Sequence, residues 1–257
     1  MKVLIVFAHP EPHGQSLNHS LFKVTIDELQ KLGHEVKTSD LYAMNWKANV
    51  DADDFTAFDK VNDRLKINAE REKSYKNGTL SKDVLEEQEK LMWADFLILQ
   101  FPLWWFSMPA IMKGWADRVL TNGFINVVSV KKNSPAGLFK GKRAMLLVTV
   151  GGPERSFSET GVSGDTFDLL FPIQHGILFY AGYQVMQPYL VWLANWLPEE
   201  SFEKIADELR ERLKNLETDE PIPFRAHNSG DYDEKTLSLK PEVLNPNVKG
   251  LRVHLRK

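Results

Sequence analysis

The sequence predicts an α/β fold in which helices cover both faces of a five-stranded parallel sheet. Three nearly continuous apolar runs, residues 3–8, 96–99 and 144–150, are typical of strands buried on both sides. Helical patterns separate these runs, and such alternation predicts a doubly wound sheet with right-handed crossovers. A chain of 257 residues is long enough to bury the core of one such domain.

Caps and apolar spacing predict the helices of the amino-terminal half. Ser16 can cap a first helix that Gly33 can end, and residues 34–41 follow as a second strand. A helix beginning at Ser81 leads into the third strand. The next helix is predicted from apolar residues at helical spacing, namely Met108, Ile111, Met112, Trp115 and Val119.

The carboxyl-terminal half completes the predicted sheet. Residues 167–180 are expected to be helical with a kink or break at Pro172, followed by a fifth strand over residues 183–191. A last amphipathic helix is expected over residues 199–216. Five strands suit the flavodoxin-like order 2-1-3-4-5 better than a six-stranded dinucleotide-binding sheet.

Two segments do not fit this alternation. Residues 45–79 form a polar, charged insertion, and residues 218–257 form a tail with four prolines and little periodicity. We therefore expect one flavodoxin-like domain over residues 1–217. The C-terminal extension, residues 218–257, is expected to pack on this domain or on a partner subunit.

Composition excludes several classes of function. A formal net charge of -3 gives no basic field for nucleic acid, and no apolar run reaches the ~20 residues of a membrane span. The absence of cysteine excludes disulfides, thiol nucleophiles and cysteine-bound metals. We expect a cytoplasmic protein with no nucleic-acid partner, no integral membrane segment and no bound metal.

In this type of sheet, ligands bind at the carboxyl ends of the strands, where the strand order reverses. Three predicted loops leave those ends, residues 9–15, 101–107 and 151–163. The helix start at Ser16 could bind an anion such as phosphate, although every helix has such a terminus and simple capping is the favoured explanation of the serine. Gly151 and Gly152 could let a flat ligand lie against the backbone or could simply form a turn.

Motifs for other chemistries are missing. No G-x-G-x-x-G follows the first strand, and no P-loop or G-x-S-x-G elbow occurs. The histidines at positions 9, 13 and 19 lack the spacing of a zinc site. The remaining signal is aromatic: Trp104, Trp105 and Phe106 precede a helix at a strand's carboxyl end, where a planar ligand could stack. Trp115 instead belongs to a helix face that is expected to pack on the sheet.

Five segments together resemble the NAD(P)H quinone dehydrogenases of the DT-diaphorase type and the wider flavodoxin-like quinone reductase family. They are FAHPEPHGQSLN, SDLYAMNW, QFPLWWFSMPAIMKGWADRVL, TVGGPERSFSETGVSGD and FPIQHGILFYAGYQV. The resemblance implies a homodimer that binds FAD, with FMN less expected, and takes a hydride from NAD(P)H. It implies that two electrons then pass to a quinone, with nitro and azo compounds as further acceptors.

The resemblance also assigns residues to the cofactor and the substrate. The diphosphate would be bound by His9, Ser16, Leu17 and Asn18. The isoalloxazine would lie between two groups: Pro102, Leu103, Trp104, Trp105 and Phe106 on one side, and Thr149, Val150, Gly151, Gly152 and Phe157 on the other. The acceptor pocket would include Trp105, Phe106, Gly151, Gly152, Asn126 and Val128.

The chain departs from the best-known animal enzymes at several of these positions. Their catalytic tyrosine and histidine align with Phe157 and Ser163, and phenylalanine cannot donate a hydrogen bond. Two tyrosines that the partner subunit contributes to the acceptor pocket align with Asn126 and Val128. We hypothesise that backbone amides near Gly151, together with the catalytic candidates Arg155 or Ser163, stabilise the negative charge of the reduced flavin.

Two other functions stay open at this point. Some members of the family resemble ancillary proteins of potassium efflux systems, so a flavin-binding regulatory subunit is the main alternative to an enzyme. A one-electron carrier of the flavodoxin type is a weaker alternative, because the loop after the first strand is rich in histidine and proline rather than in hydroxyl groups.

Overall fold

A computed structural model describes residues 1–125, 131 and 137–256. Over these residues the strands are β1 Lys2–Phe7, β2 Glu35–Asp40, β3 Phe96–Pro102, β4 Arg143–Thr149, β5 Gln184–Val185 and β6 Tyr189–Val191. The α-helices are α1 Leu17–Lys31, α2 Ile67–Asn77, α3 Lys82–Trp93, α4 Ala110–Val119, α5 Thr166–Ile173 and α6 Phe202–Lys214. The predicted positions Asn126 and Val128 lie outside the described residues.

The strands form one parallel sheet in the order β2-β1-β3-β4-β5, and β6 also pairs with β4. This confirms the predicted flavodoxin-like order 2-1-3-4-5. The fifth strand differs from the prediction, because β5 and β6 share its position. Val185 pairs with Ala144 and Tyr189 pairs with Leu147. An advance of four residues from β5 to β6 therefore matches an advance of three residues along β4. Pro188 cannot donate a ladder hydrogen bond, and the extra residue is accommodated there as a bulge.

The core has two layers, one on each face of the sheet. Alternate residues of β1 point to opposite faces, with Leu4 and Val6 in one cluster and Val3 and Ile5 in the other. Helices α3, α4 and α5 cover the first face, and α1 and α6 cover the second. The doubly wound architecture is therefore confirmed. Among the described residues, no helix combines the length and the apolarity needed to span a bilayer.

The insertion contains α2, which the sequence did not predict, because α2 has no stripe of apolar residues. Buried Arg118 on α4 binds the insertion. Its guanidinium donates to Asp54 at 2.8 Å and to Asp83 at 2.7 Å, and it lies over the Trp46 ring at 4.5 Å. One side chain thus connects α4, the insertion and the start of α3.

The tail packs against α5 and the edge of the sheet. Its Ile222 amide donates to Val185 O at 2.7 Å, and Phe224 lies in the core. Helix α5 is not broken at Pro172 but continues into a π-helical turn, Gln174–Phe179.

Three imidazoles lie where the tail meets this π turn. His175 stacks on Phe171 at 4.4 Å, and its ring centre lies 5.4 Å from His227 and 5.6 Å from His254. Burial, with the neighbouring His227 and His254, lowers the pKa of His175 to about 4. The buried Nε2 of His175 has no hydrogen-bond partner among the described residues. The native structure therefore favours neutral His175.

This arrangement predicts acid sensitivity. An unfolded histidine titrates near ~6.5, so between that pH and about 4 the unfolded chain binds more protons. The stabilisation is complete above pH ~6.5 and is lost as the pH falls toward 4. When the pH is lowered from 7.5 to 5, the free energy of unfolding of the parent chain should fall by about 1 to 2 kcal/mol more than that of His175→Phe. This figure allows for the partial solvent exposure of the ring. Urea unfolding at both pH values measures this, with exposed His13→Gln as the control. Equal slopes for the parent and His175→Phe would contradict the assignment.

Candidate functional site

The carboxyl ends of β1, β3 and β4 meet at one edge of the sheet, and the three predicted loops begin there. The Ala8 amide donates to Gln100 O at 3.1 Å, and the Leu103 amide donates to Thr149 O at 2.8 Å. These bonds continue the strand pairing into the loops. The site is therefore built on the rigid part of the sheet.

Helix α1 begins at this edge with a free amino-terminal turn. Ser16 is the N-cap, and its Oγ accepts from the His19 amide at 3.2 Å, which confirms the predicted cap. The amides of Leu17 and Asn18 have no intrahelical acceptor, because they precede the first helical hydrogen bonds. Together with the helix dipole, they can bind an anion.

A buried polar cluster connects α1 with β3 and β4. Asn18 Nδ2 donates to Thr149 Oγ1 at 2.6 Å, and Gln100 Nε2 donates to Asn18 O at 2.8 Å. Asn18 Oδ1 and Gln100 Oε1 are buried and have no partner among the described residues. Burying an unpaired acceptor is unfavourable, so this cluster is suited to a ligand or water that donates hydrogen bonds.

The aromatic loop after β3 is a tight turn. Trp104 and Ser107 exchange two backbone hydrogen bonds of 3.0 Å, and Trp105 and Phe106 between them have φ angles of 47° and 62°. This left-handed conformation is unusual for aromatic residues and costs of order 1–3 kcal/mol each. Trp105 is 94% exposed, and no described residue accepts from its amide. The strained turn thus exposes the Trp105 ring and leaves its backbone N–H available to a ligand.

The glycines after β4 form the facing wall. A Cβ on Gly151 would lie 3.1 Å from Asn195 Nδ2, and one on Gly152 would lie 2.9 Å from the Phe157 ring. A side chain at position 152 would press on the Phe157 ring, whereas at position 151 a small shift of the Asn195 side chain would make room for a methyl group. The amides of both glycines have no acceptor among the described residues, whereas the neighbouring Val150 amide donates to Val191 O at 2.8 Å.

A row of rings joins three loops across the site. Phe157 lies 6.4 Å from Phe106 and 5.3 Å from Trp192, measured between ring centres. Sequence reasoning did not assign a role to Trp192 or Asn195. Trp192 follows β6 directly and Asn195 lies three residues further, and their position after a strand at the carboxyl edge was the available signal. The row forms an apolar wall at this edge of the sheet.

The two catalytic candidates lie on the loop after β4 but are not brought together by a hydrogen bond. Arg155 is exposed in the 3₁₀ turn Glu154–Phe157. Ser163 is half-buried, and its amide donates to Ser156 O at 2.9 Å. Its hydroxyl has no hydrogen bond to another described residue, so it is free to bind a ligand. Their catalytic roles stay predictions.

Histidines surround the start of α1. Glu11 N donates to His9 Nδ1 at 3.2 Å, and the His9 and His19 ring centres lie 5.2 Å apart. Burial, and then the neighbouring His19, lower the pKa of His9. The Glu11 carboxylate accepts from the amides of Gln15 and His13, and these bonds lower its pKa. Within residues 1–125, 131 and 137–256, no group of three His, Cys, Asp or Glu is arranged for a metal.

Comparison with known proteins gives extensive matches. Residues 1–216 match the family described as having a flavodoxin-like fold. The ribosyldihydronicotinamide dehydrogenase-like protein traD of Penicillium crustosum is 45% identical, covering 100% of this chain and 96% of its own. The NAD(P)H dehydrogenase (quinone) 1 of Rattus norvegicus is 37% identical, covering 94% and 87%. A crystal structure from Klebsiella pneumoniae, described as that of a quinone reductase, has a TM-score of 0.92 at 47% identity, with 100% of both chains covered.

Proposed function

Because this chain belongs to the flavodoxin-like NAD(P)H quinone dehydrogenases, a family of oxidoreductases, we propose that it binds FAD and reduces quinones by hydride transfer. The proposed electron donor is NADH or NADPH, and nitro and azo compounds are further proposed acceptors. We place the enzyme in the cytoplasm as a homodimer. FMN is the alternative cofactor.

One observation carries this proposal: a phosphate-binding end and a ring-binding end lie on the same edge of the sheet. The free amides of Leu17 and Asn18 suit the phosphate end. The exposed ring of Trp105 suits the planar end, and the unpartnered acceptor of Asn18 lies on the α1 turn that begins at this edge. A flavin nucleotide has an anion, polar ring edges that donate hydrogen bonds, and an apolar face, so it fits this combination.

We propose the following roles for the residues that are predicted to bind the cofactor. His9 and Ser16 would contact the diphosphate from the loop and the cap. The turn from Pro102 to Phe106 would support one side of the isoalloxazine, and Thr149 to Gly152 the other. FAD is proposed over FMN because the insertion and the tail give the chain more surface than one flavodoxin-like domain provides.

When bound, the flavin would supply an acceptor for a hydride and a donor of two electrons. The chain's contribution is binding, orientation and electrostatics. Free amides at Trp105 and Gly151 are preorganised donors for negative charge, and such donors commonly contribute about 3 kcal/mol each. Phe157 has no hydrogen to donate, so this task belongs to the backbone, with Arg155 or Ser163 as the side-chain candidates. The ring row from Phe106 to Trp192 would exclude water from the reacting face.

The three relatives described above are named as dehydrogenases or as a quinone reductase, and these names give no support to the alternative of an ancillary potassium-efflux subunit. The proposed enzyme is tested by extracting and identifying the cofactor of the purified chain and by measuring NADH and NADPH oxidation with menadione. We expect FAD and rapid oxidation of at least one donor. A chain that neither carries nor takes up FAD or FMN would contradict the proposal.

Trp105→Ala is expected to weaken flavin retention by about 10- to 100-fold, because ring stacking on an aromatic side chain contributes about 1–3 kcal/mol. The unfolding midpoint of the flavin-free chain should not change, since the ring is 94% exposed. Flavin fluorescence during dilution measures retention. The matched control is Trp93→Ala, because Trp93 precedes β3 at the opposite end of the sheet. Full retention and full rate in Trp105→Ala would show that the aromatic loop is not the flavin platform.

A further inference from the structure

We propose that His19 is a positioning residue for the cofactor's phosphate and that, through Ser16, it makes flavin binding proton-linked. This inference rests on the proposed flavin function and adds a residue that the family resemblance does not assign. In its protonated form, His19 would donate from Nδ1 to Ser16 Oγ. The Ser16 hydroxyl hydrogen would then be available to the phosphate, with a positive charge within one helical turn.

The contact that carries this inference is short. His19 Nδ1 lies 2.7 Å from Ser16 Oγ, so the ring and the helix cap form one hydrogen-bonded unit. The His19 ring is fixed on its other sides by Phe7 at 4.9 Å and by His9 at 5.2 Å. Both histidines line a cavity of about 380 Å³ beside the start of α1. The same helical turn contains the buried, unpartnered Asn18 Oδ1.

The two histidines differ in their capacity to gain a proton. His9 Nδ1 accepts from the Glu11 amide at 3.2 Å, so that nitrogen must stay unprotonated while the loop keeps its structure. Neutral His9 therefore offers a constant Nε2–H donor. His19 Nδ1 faces a hydroxyl, which can donate or accept, so His19 can gain a proton without losing this hydrogen bond. His19 is the member of the pair whose charge can change.

Other charged groups near His19 come from three elements. The loop after β1 contributes Glu11, whose carboxylate already accepts from two loop amides, and the half-buried ring of His9. The segment after β2 contributes Asp40 and Tyr42 to the same cavity. On α1 itself, the residue four positions further is the exposed Lys23. Glu11 and Asp40 are the negatively charged groups of this surrounding, Lys23 is positively charged, and His9 is neutral.

The affinity for a flavin that carries a phosphate should depend on pH. An anion at Ser16 favours protonated His19, so phosphate binding takes up a proton when the free histidine is neutral. Affinity for a phosphate-bearing flavin should then rise as the pH falls, by up to about tenfold per pH unit where histidine changes charge. Riboflavin, which has no phosphate, should show no such dependence.

The test is calorimetric titration of the flavin-free full-length chain with FAD, FMN and riboflavin between pH 6 and 8.5, in buffers of different ionisation enthalpy. We expect proton uptake with FAD and FMN only. His19→Asn retains a polar group near Ser16 but cannot take a charge. It should bind FAD about tenfold more weakly at pH 6, the effect expected when a hydrogen bond to a charged group is lost, and should lose the pH slope.

Controls separate this inference from the proposed function. His13→Gln removes an exposed histidine of the same loop and should leave the slope unchanged. Ser16→Ala should abolish most of the effect of His19→Asn, because His19 acts through Ser16. No flavin binding by the parent chain would refute the proposed function itself. The role of His19 would be refuted if FAD affinity depended on pH in His19→Asn as it does in the parent chain, or if His19→Asn weakened riboflavin binding as much as FAD binding. Either result would leave the proposed function standing.

Discussion

Trp115→Ala is expected to lower the free energy of unfolding by about 3 to 5 kcal/mol, the loss typical of a large aromatic residue removed from a core. Trp115 is 1% exposed, and its Nε1 donates to Glu87 Oε2 at 2.8 Å. Glu87 is itself fully buried, so the substitution leaves a cavity and also removes one hydrogen bond from a buried carboxylate. Urea unfolding measures the loss.

Two variants separate the cavity from the hydrogen bond. Trp115→Phe keeps most of the ring volume and should cost less, about 1 to 3 kcal/mol, mainly through the lost donor to Glu87. Trp105→Ala is the matched tryptophan control and should cost almost nothing, because its ring is exposed. Equal losses of stability at positions 105 and 115 would show that the division of this segment into platform and core is wrong.

Arg118→Ala is expected to lower the free energy of unfolding by about 2 to 4 kcal/mol, because it removes a buried ion pair and leaves Asp54 with Lys47, 2.9 Å away, as its remaining cation. Asp54 is 3% exposed, and its carboxylate accepts hydrogen bonds from Nε and Nη2 of Arg118 at 3.0 and 2.8 Å. The insertion should lose its main attachment to α4. Chemical unfolding measures the loss, and proteolysis within residues 45–79 should become faster.

The control for this prediction is Arg210→Ala on α6. Arg210 pairs with Asp207 at 2.6 Å, but that carboxylate is exposed, and such pairs contribute about 0 to 1 kcal/mol. If Arg118→Ala also loses less than about 1 kcal/mol, the buried pair is not what attaches the insertion.

Much of the fold could be predicted because its signals are local. Continuous apolar runs gave the central strands, and Ser16 gave the start of α1. Apolar spacing separated Trp115, which packs on the sheet, from Trp105, which does not. The division of the fifth strand also had a local signal in Pro188, which the prediction did not use. The helix α2 had none, since its sequence lacks an apolar stripe; its Arg71 side chain donates a hydrogen bond to the Asp117 carbonyl of α4.

The candidate site could be predicted in outline but not in detail. Loop positions at the carboxyl edge follow from strand order alone. The left-handed turn at Trp105 and Phe106 has no sequence signal, because neither residue favours that conformation. The ring row through Phe157 to Trp192 depends on tertiary packing between loops far apart in sequence. The pairing of His19 with Ser16 depends on a side-chain rotamer, which spacing did not reveal.

The central claim is that this chain uses a bound flavin to pass two electrons from a nicotinamide to a quinone. Anaerobic double-mixing stopped-flow tests it most directly: the FAD-loaded chain is mixed first with one equivalent of NADPH or NADH and then with menadione. We expect the flavin absorbance near ~450 nm to bleach with one donor molecule per flavin and to return fully on adding quinone, because the cofactor carries the electrons. A flavin that neither bleaches with NADPH or NADH nor recovers with quinone would contradict it.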